Sequence, residues 1–332
     1  MNVFRNKSLL TALAIVFFTA GCVVGAYMTS FLNPDVTPLF PKDNRSRIDG
    51  TAYTNPLLEC SELPESISIG QRVNLEEVIE GHIEKAQRDG VLTNAAVYFR
   101  DLNNGPWFGV NEDFKFYPAS LLKVPIVIAF YSLVDEDSSL LSTQVEYIES
   151  DKAVEGSQAF GSSVRLEKGK IYSAMELLEF MLQESSNEAT LMLVDIIGAE
   201  HILKVYKDLG ITPPASGEDY KIDVHTYASF FRILFNATYI DRVASEWILG
   251  TMTRSTFTEG IVAGIPSDIP VAHKFGTREN AASGIRQLHD CGIIYVPNNP
   301  YILCAMTQGA DYTKLAGFIK EISALVYGEV RQ

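Results

Sequence analysis

Tyr117-Pro118-Ala119-Ser120-Leu121-Leu122-Lys123-Val124-Pro125 is the stretch on which the reading of this chain turns. Tyr117-Pro118-Ala119 predicts an entry turn, and the apolar residues after it predict a helix opened by Ser120. Three residues along a helix place Ser120 and Lys123 on one face. A helix N-terminus favours developing negative charge. A buried lysine loses basicity and can take a proton from a hydroxyl. Together these turn a poor nucleophile into an acyl acceptor without a histidine. The pattern alone says little, because serine and lysine are common and Ser-x-x-Lys arises about once by chance in a chain this long. An ordinary helix start with a solvated lysine fits it equally.

Two further motifs follow in order, Ser185-Ser186-Asn187 and Lys274-Phe275-Gly276-Thr277. Taken singly, the first is a plain helix cap and the second a strand end with a turn. Taken together with Ser120 and Lys123, they resemble the Ser-x-x-Lys, Ser-Asp-Asn and Lys-Thr-Gly boxes of the class A β-lactamase and penicillin-binding protein superfamily. The resemblance covers about Asn74 to Val326 and extends to Phe116-Tyr117-Pro118-Ala119-Ser120, Met181 to Thr190, Gly264-Ile265-Pro266 ahead of His273-Lys274, and the Gly292-Ile293-Ile294 strand. It implies an α+β, β-lactamase-like fold: an antiparallel sheet flanked by helices, with an all-helical subdomain inserted at about 120–255. It also implies roles. Ser120 is the nucleophile and Lys123 its proton acceptor. Ser185 relays a proton to the leaving nitrogen, and Asn187 holds the substrate amide and orients Lys123. Lys274 places positive charge near Ser185 and the substrate carboxylate, with Gly276 and Thr277 alongside. The backbone N–H groups of Ser120 and Thr277 form the oxyanion hole.

Three departures bear on activity. Ser186 replaces the acidic middle residue of the second box, and Phe275 the threonine of the third. Strand alternation should turn Phe275 away from the nucleophile. More consequentially, class A β-lactamases carry a deacylating glutamate on a long loop between the second and third boxes. Here Leu209-Gly210 is followed quickly by Asp223-Val224-His225-Thr226, with no Glu-Pro-x-Leu-Asn pattern. Glu218 lies in the short remnant, where a solvated loop carboxylate is the plainer reading. Deacylation of a β-lactam adduct is therefore expected to be slow.

Outward from the motifs, Asn74 with Glu77 three residues on predicts a helix start, and the apolar spacing from Leu75 to Ala86 predicts the helix. Asn94 to Arg100, the turn Asn103-Asn104-Gly105 and Trp107 to Val110 predict a hairpin. Ser173 and Glu176 form a capping-box pattern, and a further helix runs from about Asn187 to Ile197, stopping at Gly198. Val271–Thr277, Cys291–Val296 and Tyr301–Thr307 are predicted strands. A last helix carries Leu315, Phe318, Ile319, Ile322, Leu325 and Val326 on one face. Helices within the span of an antiparallel sheet make an α+β pattern.

The chain has 332 residues, 47% hydrophobic, with 27 basic and 41 acidic side chains, giving a net charge of −14. That acidity argues against a nucleic-acid partner. Arg5 and Lys7 precede an uncharged stretch whose apolar part, Leu9–Phe31, is long enough to span a bilayer, since about 20 residues suffice. The positive flank keeps that end cytoplasmic and predicts an extracytoplasmic catalytic domain on a single-pass anchor. The alternative is a cleaved signal, with Thr19-Ala20-Gly21-Cys22 as a lipoprotein site. Residues 1–32 are thus read as anchor or signal, 33–70, with five prolines, as a polar spacer, and 71–332 as the hydrolase domain.

Cys22 lies in the anchor and Cys60 in the spacer. Cys291 and Cys304 fall on neighbouring predicted strands, where a disulfide and buried free thiols are both open readings. The five histidines form no ligand-spaced pair, and no phosphate-binding glycine loop occurs, so neither metal nor cofactor is expected. The expected partners are a small molecule or cell-wall peptide and the membrane. The leading reading is a membrane-anchored serine hydrolase of the β-lactamase family, forming an acyl-enzyme at Ser120 with β-lactams or D-Ala-D-Ala-type peptides. Its alternatives are a D,D-carboxypeptidase-like penicillin-binding enzyme, a glutaminase on the same scaffold, which the N-terminal anchor disfavours, and a non-catalytic cell-wall-binding relic.

Overall fold

A computed structural model describes residues 51–55, 69–103, 105–148, 159–160, 164–214 and 220–331. These all belong to the unit formed by Asp49–Pro56 and Leu63–Gln332. The apolar stretch Leu9–Phe31, Cys22, Cys60 and Glu218 lie outside the described residues. Among the described residues, no helix is long and apolar enough to cross a membrane.

The frame is a five-stranded antiparallel sheet in the order β2-β1-β9-β8-β7. Its strands are β1 (Asn94–Asp101), β2 (Trp107–Val110), β7 (Val271–Asn280), β8 (Ile285–Ile294) and β9 (Tyr301–Gly309). Central β9 shows why the sheet divides the molecule into two layers. Ile302, Cys304 and Met306 enter one apolar cluster, and Tyr301, Leu303 and Ala305 enter the other. Successive side chains point to opposite faces, so a strand buried on both faces reads as an unbroken apolar run.

One face carries α1 (Ile69–Arg88) and α8 (Tyr312–Val330), whose Leu75, Ile79, Ile83, Leu315, Phe318, Ile319, Ile322 and Val326 are buried there. Each such side chain contributes about 1.5–3 kcal/mol on leaving water. The predicted start at Asn74 is corrected: α1 begins at Ile69, and no proline lies between Pro64 and Asn74 to oblige the helix to start later.

The opposite face supports the helical block: α2 (Lys123–Val134), α3 (Ala174–Gln183), α4 (Asn187–Ile197), α5 (Ala199–Asp208), α6 (Val224–Asn236) and α7 (Arg242–Met252). The capping box at Ser173 and Glu176 is present in full, and Gly198 ends α4 with φ 79°. Two ribbons accompany these helices. β3 (Lys115–Phe116) pairs with β6 (Ile222–Asp223), and β4 (Gln144–Glu146) pairs with β5 (Ile171–Ser173). Strands of two or three residues are too short to show a period of two in sequence.

The β7–β8 hairpin extends beyond the predicted strands: β7 runs on to Asn280 and β8 begins at Ile285. Arg286-Gln287-Leu288-His289-Asp290 conceals this extension, because its polar residues obscure an apolar strand pattern. Cys291 and Cys304 are directly opposed on β8 and β9 and form a disulfide. Within the stretch read as a spacer, residues 51–55 bind the domain. The N–H groups of Ala52, Tyr53 and Thr54 all donate to the Glu246 carboxylate on α7, at 2.5–2.9 Å. Asn55 N–H donates to Phe235 O at 2.6 Å. Backbone-to-carboxylate bonds leave no trace in hydropathy.

Candidate active site

Ser120 sits in a 3₁₀ turn, Ala119–Leu122, that leads into α2. The expectation that Ser120 opens the α-helix is therefore corrected: the α-helix starts at Lys123. Pro125 explains the arrangement. It has no N–H and so fits only the first turn of a helix. The carbonyl four residues earlier, that of Leu121, loses its helical donor, and the buried Tyr227 hydroxyl bonds it instead at 3.0 Å. Ala119, just before Ser120, has φ 49°, and Ser185 has φ 56°. Non-glycine residues held at positive φ cost on the order of 1–3 kcal/mol each and persist only where the surroundings impose them. Here both lie at the nucleophile's turn and at the loop facing it.

That loop joins α3 to α4 and delivers Ser185 and Asn187. Ser186 caps α4 by accepting from Ala189 N–H at 3.1 Å and donates to Glu188 Oε2 at 2.9 Å. The residue replacing the usual acid thus does local structural work. Lys123 Nζ lies 3.0 Å from Ser120 Oγ, 2.5 Å from Ser185 O, 3.2 Å from Ser185 Oγ and 2.8 Å from Asn187 Oδ1. Two of these partners, the Ser185 carbonyl and the Asn187 amide oxygen, can only accept. A neutral amine satisfies both with its two hydrogens and turns its lone pair toward the hydroxyls.

Lys123 is 3% exposed and Lys274 fully buried. Burial, and next the Lys274 ammonium, drive the Lys123 amine well below the ordinary lysine value of 10.5, while Glu188 opposes this weakly. Burial likewise lowers Lys274 to about 7, partly opposed by Asp290. Lys274 Nζ donates to Ser185 Oγ at 2.8 Å and to Phe275 O at 3.1 Å. Ser185 Oγ therefore stands between the two lysines, a geometry that can pass a proton.

β7 brings the third motif against the nucleophile. A Cβ on Gly276 would stand 2.8 Å from Pro118 O and 3.2 Å from the backbone nitrogens of Ser120 and Leu121, so only glycine permits this approach. Thr277 follows, half-buried. Phe275 points into the other layer, stacked on Phe257 with ring centroids 4.3 Å apart, as strand alternation requires. The structure thus gathers Ser120, Lys123, Ser185, Asn187, Lys274 and Gly276 around one point, with Thr277 next along the strand.

Supporting residues were not legible as such in the sequence. Tyr117, three residues before Ser120, is held at both ends of its peptide. Its N–H donates to Gln287 Oε1 at 3.1 Å, and its carbonyl lies 3.0 Å from His289 Nε2. Thr307 N–H donates to His289 Nδ1 at 3.2 Å, so Nε2 carries the hydrogen and donates to Tyr117. Burial keeps this ring neutral, lowering it to about 4. The only available signal was the alternation of Gln287 and His289 on one face of β8. His273 faces away from Lys274, buried against Asp290, with Nδ1 and Oδ1 2.8 Å apart; the other Asp290 oxygen accepts from Ile261 N–H at 2.8 Å.

Among the described residues, no free carboxylate stands where the long loop would be. Among the described residues between α5 and α6, the one carboxylate is Asp223, and it caps α6 by accepting from Thr226 N–H at 2.7 Å.

Comparison with known proteins agrees with this picture. The sequence model of the β-lactamase enzyme family matches residues 74–330. No curated protein matches the sequence significantly. The fold is similar to that of PBP-A, with a TM-score of 0.65 at 22% identity, covering 80% of this chain and 98% of that one. A mutant of PBP-A, solved as an acyl-enzyme complex with penicillin G, superposes with a TM-score of 0.64 over the same shares, again at 22% identity. A β-lactamase from Chitinophaga pinensis gives 0.67 at 18% identity, covering 77% and 98%. At such identities the likeness concerns the fold.

Proposed function

The chain belongs to the β-lactamase enzyme family, and from that premise we propose that it is a serine hydrolase of the class A type, whose Ser120 forms an acyl-enzyme with β-lactams or D-Ala-D-Ala-type peptides and releases it slowly. The observation that carries the reading is the buried, basicity-depleted Lys123 amine 3.0 Å from Ser120 Oγ. The neutral amine takes the hydroxyl proton as Oγ adds to the substrate carbonyl. The oxyanion is held by the N–H groups of Ser120 and Thr277. The C–N bond then breaks, and the proton moves from Lys123 through Ser185 Oγ to the leaving nitrogen. Asn187 holds Lys123 by its amide oxygen and offers its N–H₂ to the substrate. Lys274, protonated below about pH 7, attracts the substrate carboxylate.

Hydrolysis of the ester needs a base that activates water. The engagement of Asp223 as a helix cap favours slow turnover, as in a penicillin-binding or D,D-carboxypeptidase-like enzyme. The catalytic domain is placed outside the cytoplasm on the Leu9–Phe31 anchor, a reading supported by the basic flank of that stretch and by the disulfide, which suits an oxidising compartment.

The test is incubation of the full chain, in detergent, with a fluorescent penicillin, following intact mass over time beside Ser120→Ala. An adduct that persists for hours and is absent from the control is expected. An adduct that vanishes within minutes would overturn slow release, and no adduct at all would overturn the acyl-enzyme itself.

A further inference from the structure

On β7, residues at i, i+2 and i+4 share a face. Lys274, Gly276 and Arg278 therefore look the same way. Gly276 abuts the Ser120 turn, and Lys274 reaches Ser185 on one side of it. Arg278 lies on the other side, about 13 Å along the strand from Lys274 at about 3.3 Å per residue. It flanks a cavity of about 300 Å³ whose wall includes Lys115, Tyr117, Lys221, Asn280 and Gln287. The Arg278 guanidinium carbon is 4.1 Å from the centre of the Tyr117 ring, and Lys221 Nζ is 4.8 Å from it. Three cations thus line one small cavity. Among the described residues no carboxylate lines it, although the chain carries an excess of 14 negative charges. Like charges crowded on one ring repel, and an anion seated between them relieves that repulsion while gaining charge-assisted hydrogen bonds.

We propose that this cavity is an anion subsite on the acyl-donor side of the nucleophile, and that it takes a carboxylate carried by the acyl portion of the substrate. The inference rests on the acyl-enzyme reading above for its sense of direction: the leaving group lies toward Ser185 and Lys274, so the acyl group extends toward Arg278. The substrate class is then a doubly anionic one, with one carboxylate beside Lys274 and a second, on the acyl side, beside Lys221 and Arg278. Tyr117 ties the subsite to catalysis, because the same residue forms the cavity wall and leads into the Ser120 turn.

The experiment compares a penicillin bearing a glutaryl side chain with its side-chain methyl ester, using intact mass to obtain the second-order rate of Ser120 acylation. The protein is tested unaltered and as Lys221→Gln/Arg278→Gln; both side chains are exposed, so the core is untouched. The acid is expected to acylate at least tenfold faster than the ester. That ratio should fall toward one in the double variant and shrink as salt rises. The same ratio in both proteins overturns the proposal. If neither penicillin acylates Ser120, the acyl-enzyme reading fails, and calorimetric binding of glutarate decides the cavity on its own. Binding weakened at least tenfold by the double substitution upholds the subsite, and binding unaffected or absent overturns it.

Discussion

Gly276→Ala isolates the contact on which the site's geometry depends. The added methyl would stand 2.8 Å from Pro118 O, where ordinary contact begins at 3.4 Å, so β7 and the nucleophile turn must separate by about 0.6 Å. All three near atoms are backbone, and Tyr117 is pinned through Gln287 and His289. No side-chain rotation can absorb the strain. Overpacking of this kind costs about 1–3 kcal/mol, which for a domain of this size lowers Tm by about 2–4 °C per kcal/mol. The same displacement moves Ser120 relative to Lys123 and to the oxyanion donors. A misplacement of about 1 Å can cost about 100-fold in rate, so 0.6 Å should slow acylation by about 10- to 100-fold. Penicillin adduct formation, followed by mass spectrometry below the variant's Tm, measures the rate, and thermal unfolding measures the stability. Unchanged acylation in a protein of unchanged Tm would show that the strand does not position the nucleophile as argued.

Further outcomes follow from the same geometry. Lys123→Met should slow acylation by about 10²- to 10⁴-fold, the usual contribution of a general base. In the unaltered protein only neutral Lys123 accepts the proton, so the rate should rise with pH through a limb lying well below 10.5; a limb at 10.5 would refute its depressed basicity. Lys274 loses its proton near pH 7, so KM for substrates with a C-terminal carboxylate should climb above that pH, and a flat KM from pH 6 to 9 would count against its role. His289 is lowered to about 4 from an ordinary 6.5, so the unfolded chain takes up a proton that the folded protein refuses. The stability contributed by the neutral ring is complete above pH 6.5 and falls by about 3 kcal/mol as pH drops toward 4; denaturant unfolding of His289→Gln should lack that loss. The Cys291–Cys304 pair spans 13 residues, so its reduction should cost about 3 kcal/mol, and alkylation of the unreduced, unfolded protein should leave both cysteines unmodified.

The sequence by itself determined the fold class and which residues meet at the candidate site. Ser120, Lys123, Ser185, Asn187, Lys274 and Gly276 were readable because three short motifs recur in order. The helices α3, α4 and α8 were readable because caps and apolar spacing are local properties of the chain. Strand β9 was legible because burial on both faces forces an apolar run. Tertiary structure decided what no local pattern encodes. It set the 3₁₀ entry of Ser120, where Pro125 withholds an N–H and a distant tyrosine, Tyr227, bonds the Leu121 carbonyl in its place. It recruited Gln287 and His289, polar residues whose worth depends on meeting Tyr117 across 170 residues or more of sequence. It fastened residues 52–54 to Glu246 through backbone groups that every sequence possesses. It also brought Lys221 and Arg278 onto one aromatic ring. Long-range electrostatics and backbone hydrogen bonding depend on distances in space, and a one-dimensional pattern records only distances along the chain.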